Sequence, residues 1–90
     1  MDRYSKPIIR ETITQTIIQD IKDQLCNDNL EIDENTYLPS VGFDDLDSIE
    51  LLMEIEDTFE ITIDEEKFEN LHTVKEMTDY VVSRLENPTN

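Results

Sequence analysis

Ile9, Ile13, Ile17, Ile18, Ile21 and Leu25 recur at steps of three and four residues, the spacing that lays one apolar stripe along a helix. This predicts a first helix over about residues 8–26, entered from Pro7. Its isoleucines branch at Cβ and are only moderate helix formers, so packing has to hold it. From 27 to 43 the periodicity lapses, and a long loop is expected, with Leu30, Ile32, Tyr37, Leu38 and Val41 as anchors on the core. A loop of that length in so short a chain is normally functional or pinned. A second helix is expected from Asp44 or Asp45, either of which can cap free backbone N–H groups, to about Phe59. Asp64 precedes a short turn of helix over EEKFEN. Thr73-Val-Lys-Glu76 has the form of a capping box, and Val74, Met77, Val81, Val82 and Leu85 supply the inward stripe of a last helix. Gly42 is the only glycine, and Pro39 is the only proline away from the ends. Breakers so few imply helices joined by loops. The expected fold is all-α: three main helices plus one short helix, with the long loop between the first two. Residues 1–90 are read as a single domain with its core at about 8–86.

The second helix carries two apolar faces. At about 100° per residue, with Leu46 at zero, Leu51, Leu52, Ile55 and Phe59 fall between about 140° and 240° and form the core face. Ser48 falls near 200° on the same wheel, so it is expected to point inward with its hydroxyl bonded to a backbone group. Leu46, Ile49 and Met53 fall on the other side, between about 300° and 360°. One small core does not easily satisfy both faces. Acids including Glu50, Glu54, Glu56 and Asp57 surround the second set, as a docking surface requires: the rim steers and the centre desolvates. A loop lying over the strip is the structural alternative.

Composition sharpens this picture. Ninety residues with a 37% hydrophobic fraction suit one small core, and a chain of this size buries only about 60–65% of its unfolded surface. The polar start MDRYSKPIIRETITQ has no signal-peptide character, and no apolar run approaches the roughly 18–20 residues of a membrane span. A cytoplasmic monomer is therefore expected. The net charge is −16, and Lys67 is the only basic residue between Asp28 and His72, whereas Arg3, Lys6, Arg10 and Lys22 sit at the other end. Such a field repels nucleic acid and anionic lipid and draws basic protein surfaces.

The same residues exclude most intrinsic chemistry. Cys26 is the only cysteine, which rules out an intrachain disulfide and is read as a semi-buried residue at a helix end. His72, the only histidine, lacks a second imidazole or thiolate and reads as a loop residue near a helix start, not a zinc ligand. Neither NDNLEIDEN nor DDLD has the glycine of an EF-hand calcium loop. No G-x-S-x-G surrounds Ser48. Paired carboxylates such as Asp44/Asp45 or Glu56/Asp57 have no evident cleft in which to act as acid and base. The chain is not expected to be an enzyme.

The stretch GFDDLDSIELLMEIEDTF, residues 42–59, resembles the second helix of acyl carrier proteins, whose pattern runs G-x-D-S-L-D-[ST]-[VI]-E-L-[VIL]-M and then E-x-x-F. The likeness continues without a gap through Ile63, Glu65, Glu66, Thr73-Val74 and Asp79-Tyr80, and more loosely through Ile32 and the first helix, covering about residues 10–85. It implies a small up-and-down helical bundle. It also implies a 4′-phosphopantetheine arm carrying acyl intermediates, as in fatty acid or polyketide biosynthesis. The partners it implies are carrier-dependent enzymes: synthases, acyltransferases and the phosphopantetheinyl transferase. Their basic surfaces would dock on Asp44, Leu46, Asp47, Ile49, Glu50, Met53, Glu54, Glu56 and Asp57. The departure lies at one position. In this register the attachment serine is replaced by Asp45, and Ser48 matches the later [ST]. A carboxylate in that place would give an acyl phosphate, which water cleaves, so the cofactor is expected to be absent. The expected function is thus an unmodifiable carrier variant or carrier-like docking protein. The alternatives are a functional acyl or aminoacyl carrier modified at Ser48, and an acidic mimic of nucleic acid, which would not need the apolar strip.

Overall fold

The computed structural model describes residues 10–86. Arg3, Lys6, Pro7, Ile9, Pro88 and the expected helix start at residue 8 lie outside the described residues. Within them are helices α1 (Arg10–Gln24), α2 (Asp45–Phe59), α3 (Glu65–Glu69) and α4 (Val74–Glu86), with a 3-10 turn at Leu38–Val41 inside the long loop. Three main helices and one short one form a small bundle, as the periodicity implies. α1 packs on α4 and α2, and α2 packs on α3.

The apolar stripes converge on one core. Ile13, Ile17 and Ile21 of α1, Leu51 and Ile55 of α2, Phe68 of α3, and Val74, Met77 and Val81 of α4 are all buried. Each such side chain contributes about 1.5–3 kcal/mol on burial, enough to hold α1 in spite of its β-branched content. Phe59, Val82 and Leu85 pack at the margin. Between α1 and α4 the buried hydroxyls of Thr14 and Thr78 share a hydrogen bond at 3.1 Å. This polar pair fixes which turn of α1 faces which turn of α4, because any slip would leave two hydroxyls buried without partners.

The helix ends explain the boundaries. α1 stops at Gln24, two residues short of expectation, because Cys26 adopts the left-handed conformation (φ 56°). Asn27 N–H then reaches back to Lys22 O (3.0 Å) and Cys26 N–H to Asp23 O (3.1 Å), closing the helix in a Schellman pattern. Cys26 is exposed there, not semi-buried. α4 is capped by Thr73 Oγ1, which accepts from Glu76 N–H (3.2 Å), while Glu76 Oε1 accepts from His72 N–H (2.7 Å). The reciprocal half of the expected box therefore lands one residue earlier.

The long loop is pinned, though not by all the anchors expected. Leu38 is fully buried, and Ile32 and Val41 pack against the core, but Tyr37 is 56% exposed. Tyr37 instead pairs by its backbone with Thr73 and meets the His72 ring edge-on at 5.8 Å. Leu38 N–H donates to His72 O and Lys75 N–H to Glu34 O. The loop is thus stitched to the start of α4. At its end Gly42 takes φ 91°, a conformation open to glycine at little cost, and turns the chain into α2.

Candidate functional site

The turn that enters α2 is built from side chains of one sign. Asp44 is the N-cap: its Oδ1 accepts from Asp47 N–H at 3.0 Å, and Asp47 Oδ2 accepts from Asp44 N–H at 3.0 Å. This is a capping box made with aspartate at both ends. Hydrogen bonding to Asp47 N–H holds the Asp44 carboxyl below its usual range. Gln24 at the end of α1 donates from its side-chain amide to Asp47 O, tying the two helices together here.

Asp45 stands at the first position of α2 and is exposed. At a helix start a carboxylate is favoured by the helix dipole, by about 0.3–1 kcal/mol. Ser48, one turn on, is 93% shielded from solvent, at 7% exposure. It points inward as the wheel implies, but not with the expected bond: Oγ is buried without a hydrogen-bond partner. The Asp44 carbonyl one turn earlier already accepts from Ser48 N–H.

The strip is open to solvent. Leu46 is 66% exposed and Met53 55%, with Ile49 half-buried between them; no loop among the described residues covers it. Of the acids around it, Glu50, Glu54 and Asp57 are exposed. Glu56 is turned inward, half-buried, and its Oε2 accepts from Ile63 N–H at 2.8 Å. Asp47, also half-buried, is committed to the cap. The nine residues expected to dock therefore divide between a free surface and three acids, Asp44, Asp47 and Glu56, that serve the fold first. Helical spacing did not separate them, because their bonds run to backbone groups beyond the helix or at its cap.

Two features escaped the sequence reading. One is a cleft of about 340 Å³ beside the start of α2, between the Leu38–Val41 turn and the residues joining α3 to α4. Phe43 and Leu71 line it, with Asp45, Ser48 and Glu69. The other is Asp20 on α1, whose carboxyl is raised above its usual value first by burial, then by the charges of Glu54 on α2 and Asp23. Its Oδ2 has no hydrogen-bond partner. Among the described residues no group of three or more His, Cys, Asp or Glu side chains is arranged to hold a metal ion, and no helix is long and apolar enough to cross a membrane.

Comparison with known proteins places the chain in a family. Residues 15–81 match the family described as "Phosphopantetheine attachment site". The chain is 32% identical to an acyl carrier protein of Exiguobacterium sibiricum over 84% of its own length and 98% of the relative's. It is 38% identical to an acyl carrier protein of Rubrobacter xylanophilus, over 81% of this chain and 91% of that one. No solved structure matches the chain significantly.

Replacing Ser48 by alanine removes a buried hydroxyl that has no partner and adds helix propensity. Thermal unfolding should show stabilisation by about 0.5–1 kcal/mol, whereas a hydrogen-bonded hydroxyl would make the same change costly. Asp20 works the other way with pH. Because its folded pKa is raised, its contribution to stability is full below the ordinary aspartate value of 3.8 and is lost as pH rises through the raised value. Asp20→Asn should therefore raise stability at neutral pH by roughly 0.5 kcal/mol, about 2–4 °C in Tm, with solvent screening included. Unfolding scans below pH 3.8 should show the gain gone.

Proposed function

Since the chain belongs to the acyl carrier protein family, we propose that it keeps the family's docking helix and has lost its point of attachment. The single observation that carries this reading is the state of its two candidate side chains. Asp45, in register with the family's attachment serine, is exposed but offers only a carboxylate. Ser48 offers a hydroxyl, but one that is buried. The residues present do not fit a phosphopantetheine arm. A phosphoryl group on a carboxylate forms an acyl phosphate, open to hydrolysis, in place of a stable phosphodiester. Transfer to Ser48 would require the first turn of α2 to open, which its reciprocal aspartate cap opposes.

The docking surface is the strip of Leu46, Ile49 and Met53, with Asp45, Glu50, Glu54 and Asp57 as its free acids and Asp44, Asp47 and Glu56 contributing charge from their structural positions. An apolar centre inside an acidic rim suits a basic partner: the rim raises the encounter rate, and burial of the centre supplies affinity. The natural partners are enzymes that recognise carriers, including synthases, acyltransferases and the phosphopantetheinyl transferase, in the cytoplasm. A nucleic-acid mimic would need the charge without the exposed apolar strip. The domain is read as a single carrier-like unit, with no catalysis of its own.

Two measurements test this. Incubated with coenzyme A and a phosphopantetheinyl transferase, the chain should keep its intact mass, whereas Asp45→Ser should gain the mass of one phosphopantetheine group. An adduct on Ser48 of the unaltered chain would sink the reading. Separately, Ile49→Ser combined with Met53→Ser should weaken binding to a carrier-dependent enzyme by at least tenfold in titration calorimetry, since it removes the desolvated centre. Binding that survives the double substitution would leave charge alone as the driving force.

A further inference from the structure

A second cleft, of about 620 Å³, lies where the loop after α2, the α3 helix and the last turns of α4 meet. It shares no residue with the cleft beside Ser48 or with the docking strip. Its charge runs against that of the rest of the chain. Among the described residues Arg10 and Lys75 are ion-paired, both with Asp79, whereas Lys67 and Arg84 line this cleft and are paired with no acid. A shortage of acids is not the reason, since the chain has 23 of them against 7 basic residues. The one acid in the cleft, Asp64, is committed to the fold: its Oδ1 accepts from Glu66 N–H at 3.0 Å and from Lys67 N–H at 3.4 Å. The other groups here are donors. Arg84 is half-buried, and its Nε donates to Thr62 O at 3.0 Å, which fixes the guanidinium and leaves its Nη groups over. Tyr80 Oη accepts from Asp64 N–H at 3.0 Å, so its own proton remains to be given elsewhere, and its ring is steadied by Phe68, 6.5 Å away. Lys67 is exposed and adds an ammonium. Three side chains from two helices thus bring donors to one cleft, and an oxyanion would complete the set.

We propose that this cleft binds the phosphate group of a small molecule, free or as a monoester. A phosphate monoester carries a charge of about −1.5 to −2 near neutral pH and presents three acceptor oxygens. That matches two cations and three donor side chains, whereas a carboxylate offers one charge and two oxygens. The fork of a guanidinium suits phosphate oxygens, and one already anchored to Thr62 O has less freedom to lose on binding. A small ligand follows from the field of the whole chain. With a net charge of −16, the protein repels nucleic acid and anionic lipid, whose many charges meet the entire acidic surface. A single phosphate group need only enter the cleft, and acids farther from it than about 8 Å are largely screened at physiological ionic strength. The site is independent of docking, because neither the apolar strip nor Asp45 takes part in it.

The test titrates inorganic phosphate, methyl phosphate and acetate, each at fixed ionic strength, into the full chain labelled with ¹⁵N. Saturable shifts are expected at the amides of Asp64, Lys67 and Arg84, with a dissociation constant for phosphate on the order of a millimolar, the scale of a ligand of so few atoms. Acetate should bind at least about threefold more weakly, having one charge fewer to place. Tighter binding of methyl phosphate than of inorganic phosphate assigns the site to an ester, and the reverse order assigns it to the free ion. Lys67→Gln, at an exposed side chain, should weaken phosphate binding about fourfold, and Arg84→Lys, which keeps the charge but loses the fork, about threefold. Lys22→Gln makes the same change in net charge away from the cleft and should alter binding by less than about twofold. Circular dichroism checks that each variant is folded, and Lys67→Gln keeps the test open should Arg84→Lys disturb the contact with Thr62. Three results would overturn the assignment: no saturable shift with either phosphate, acetate binding as tightly as phosphate, or equal weakening by Lys22→Gln and Lys67→Gln.

Discussion

The first turn of α2 rests on one exchange: the Asp44 carboxylate takes the N–H of Asp47, and the Asp47 carboxylate takes the N–H of Asp44. A helix offers four backbone N–H groups at its start with no partner within the helix, and this pair fixes both where α2 begins and its rotation about its axis. Every later side chain follows from that phase. Set it, and Ser48, Leu51, Leu52 and Ile55 go to the core while Leu46 and Met53 go to water. The bond from Asp47 N–H favours the ionised Asp44 carboxylate. The depressed pKa of Asp44 means that its contribution is present above the ordinary aspartate value and is lost as pH falls through the lowered one. Acid therefore acts on the site through the same contact that positions it.

The distribution of cations supports this arrangement. The chain has 7 basic residues against 23 acids, and self-repulsion on that scale works against the compact state. Arg10 and Lys75 both reach Asp79, joining the start of α1 to α4 and holding the Asp79 carboxyl low against the upward pull of its partial burial. Arg84 donates to Thr62 O, bracing the loop after α2. These contacts lie away from α2, which has no basic residue in its last turn. The field of the second helix is consequently left free of counter-charge from its own sequence, and the Asp20–Glu54 repulsion between α1 and α2 is part of the cost of that choice.

Periodicity made the helices legible because each has one stripe that must be buried, and a stripe repeats. It also resolved the two faces of α2, since the angle between Leu51 and Met53 is a property of any helix. Four features were hidden for physical reasons. Thr14 and Thr78 lie in the core although polar, and only the partner 64 residues away makes that tolerable. Tyr37 reads as an anchor by type, yet its backbone does the anchoring while its ring stays outside. Cys26 ends α1 through a left-handed backbone that nothing in its side chain announces. The cleft belongs to no element: it exists only where the Leu38–Val41 turn, α2 and the α3–α4 connection come together. Local pattern carries information about faces and ends, but contacts between distant segments require the fold.

In the proposed reading, structure and chemistry make separable demands at position 45. A residue at the first turn of a helix is favoured if it is small and acidic, whatever reaction the site once served. Serine meets the chemical demand of a carrier and is acceptable to the helix, whereas aspartate meets the helical demand better and fails the chemical one. The change therefore leaves α2, its cap and its exposed strip standing while it removes the nucleophile. The buried Ser48 cannot inherit the role by proximity, because the helical phase that keeps Asp45 outside turns the residue three places on toward the core. What remains is a surface that enzymes could still recognise, without the means to carry their substrate. Recognition and carriage, joined on one helix, would thereby come apart at a single side chain.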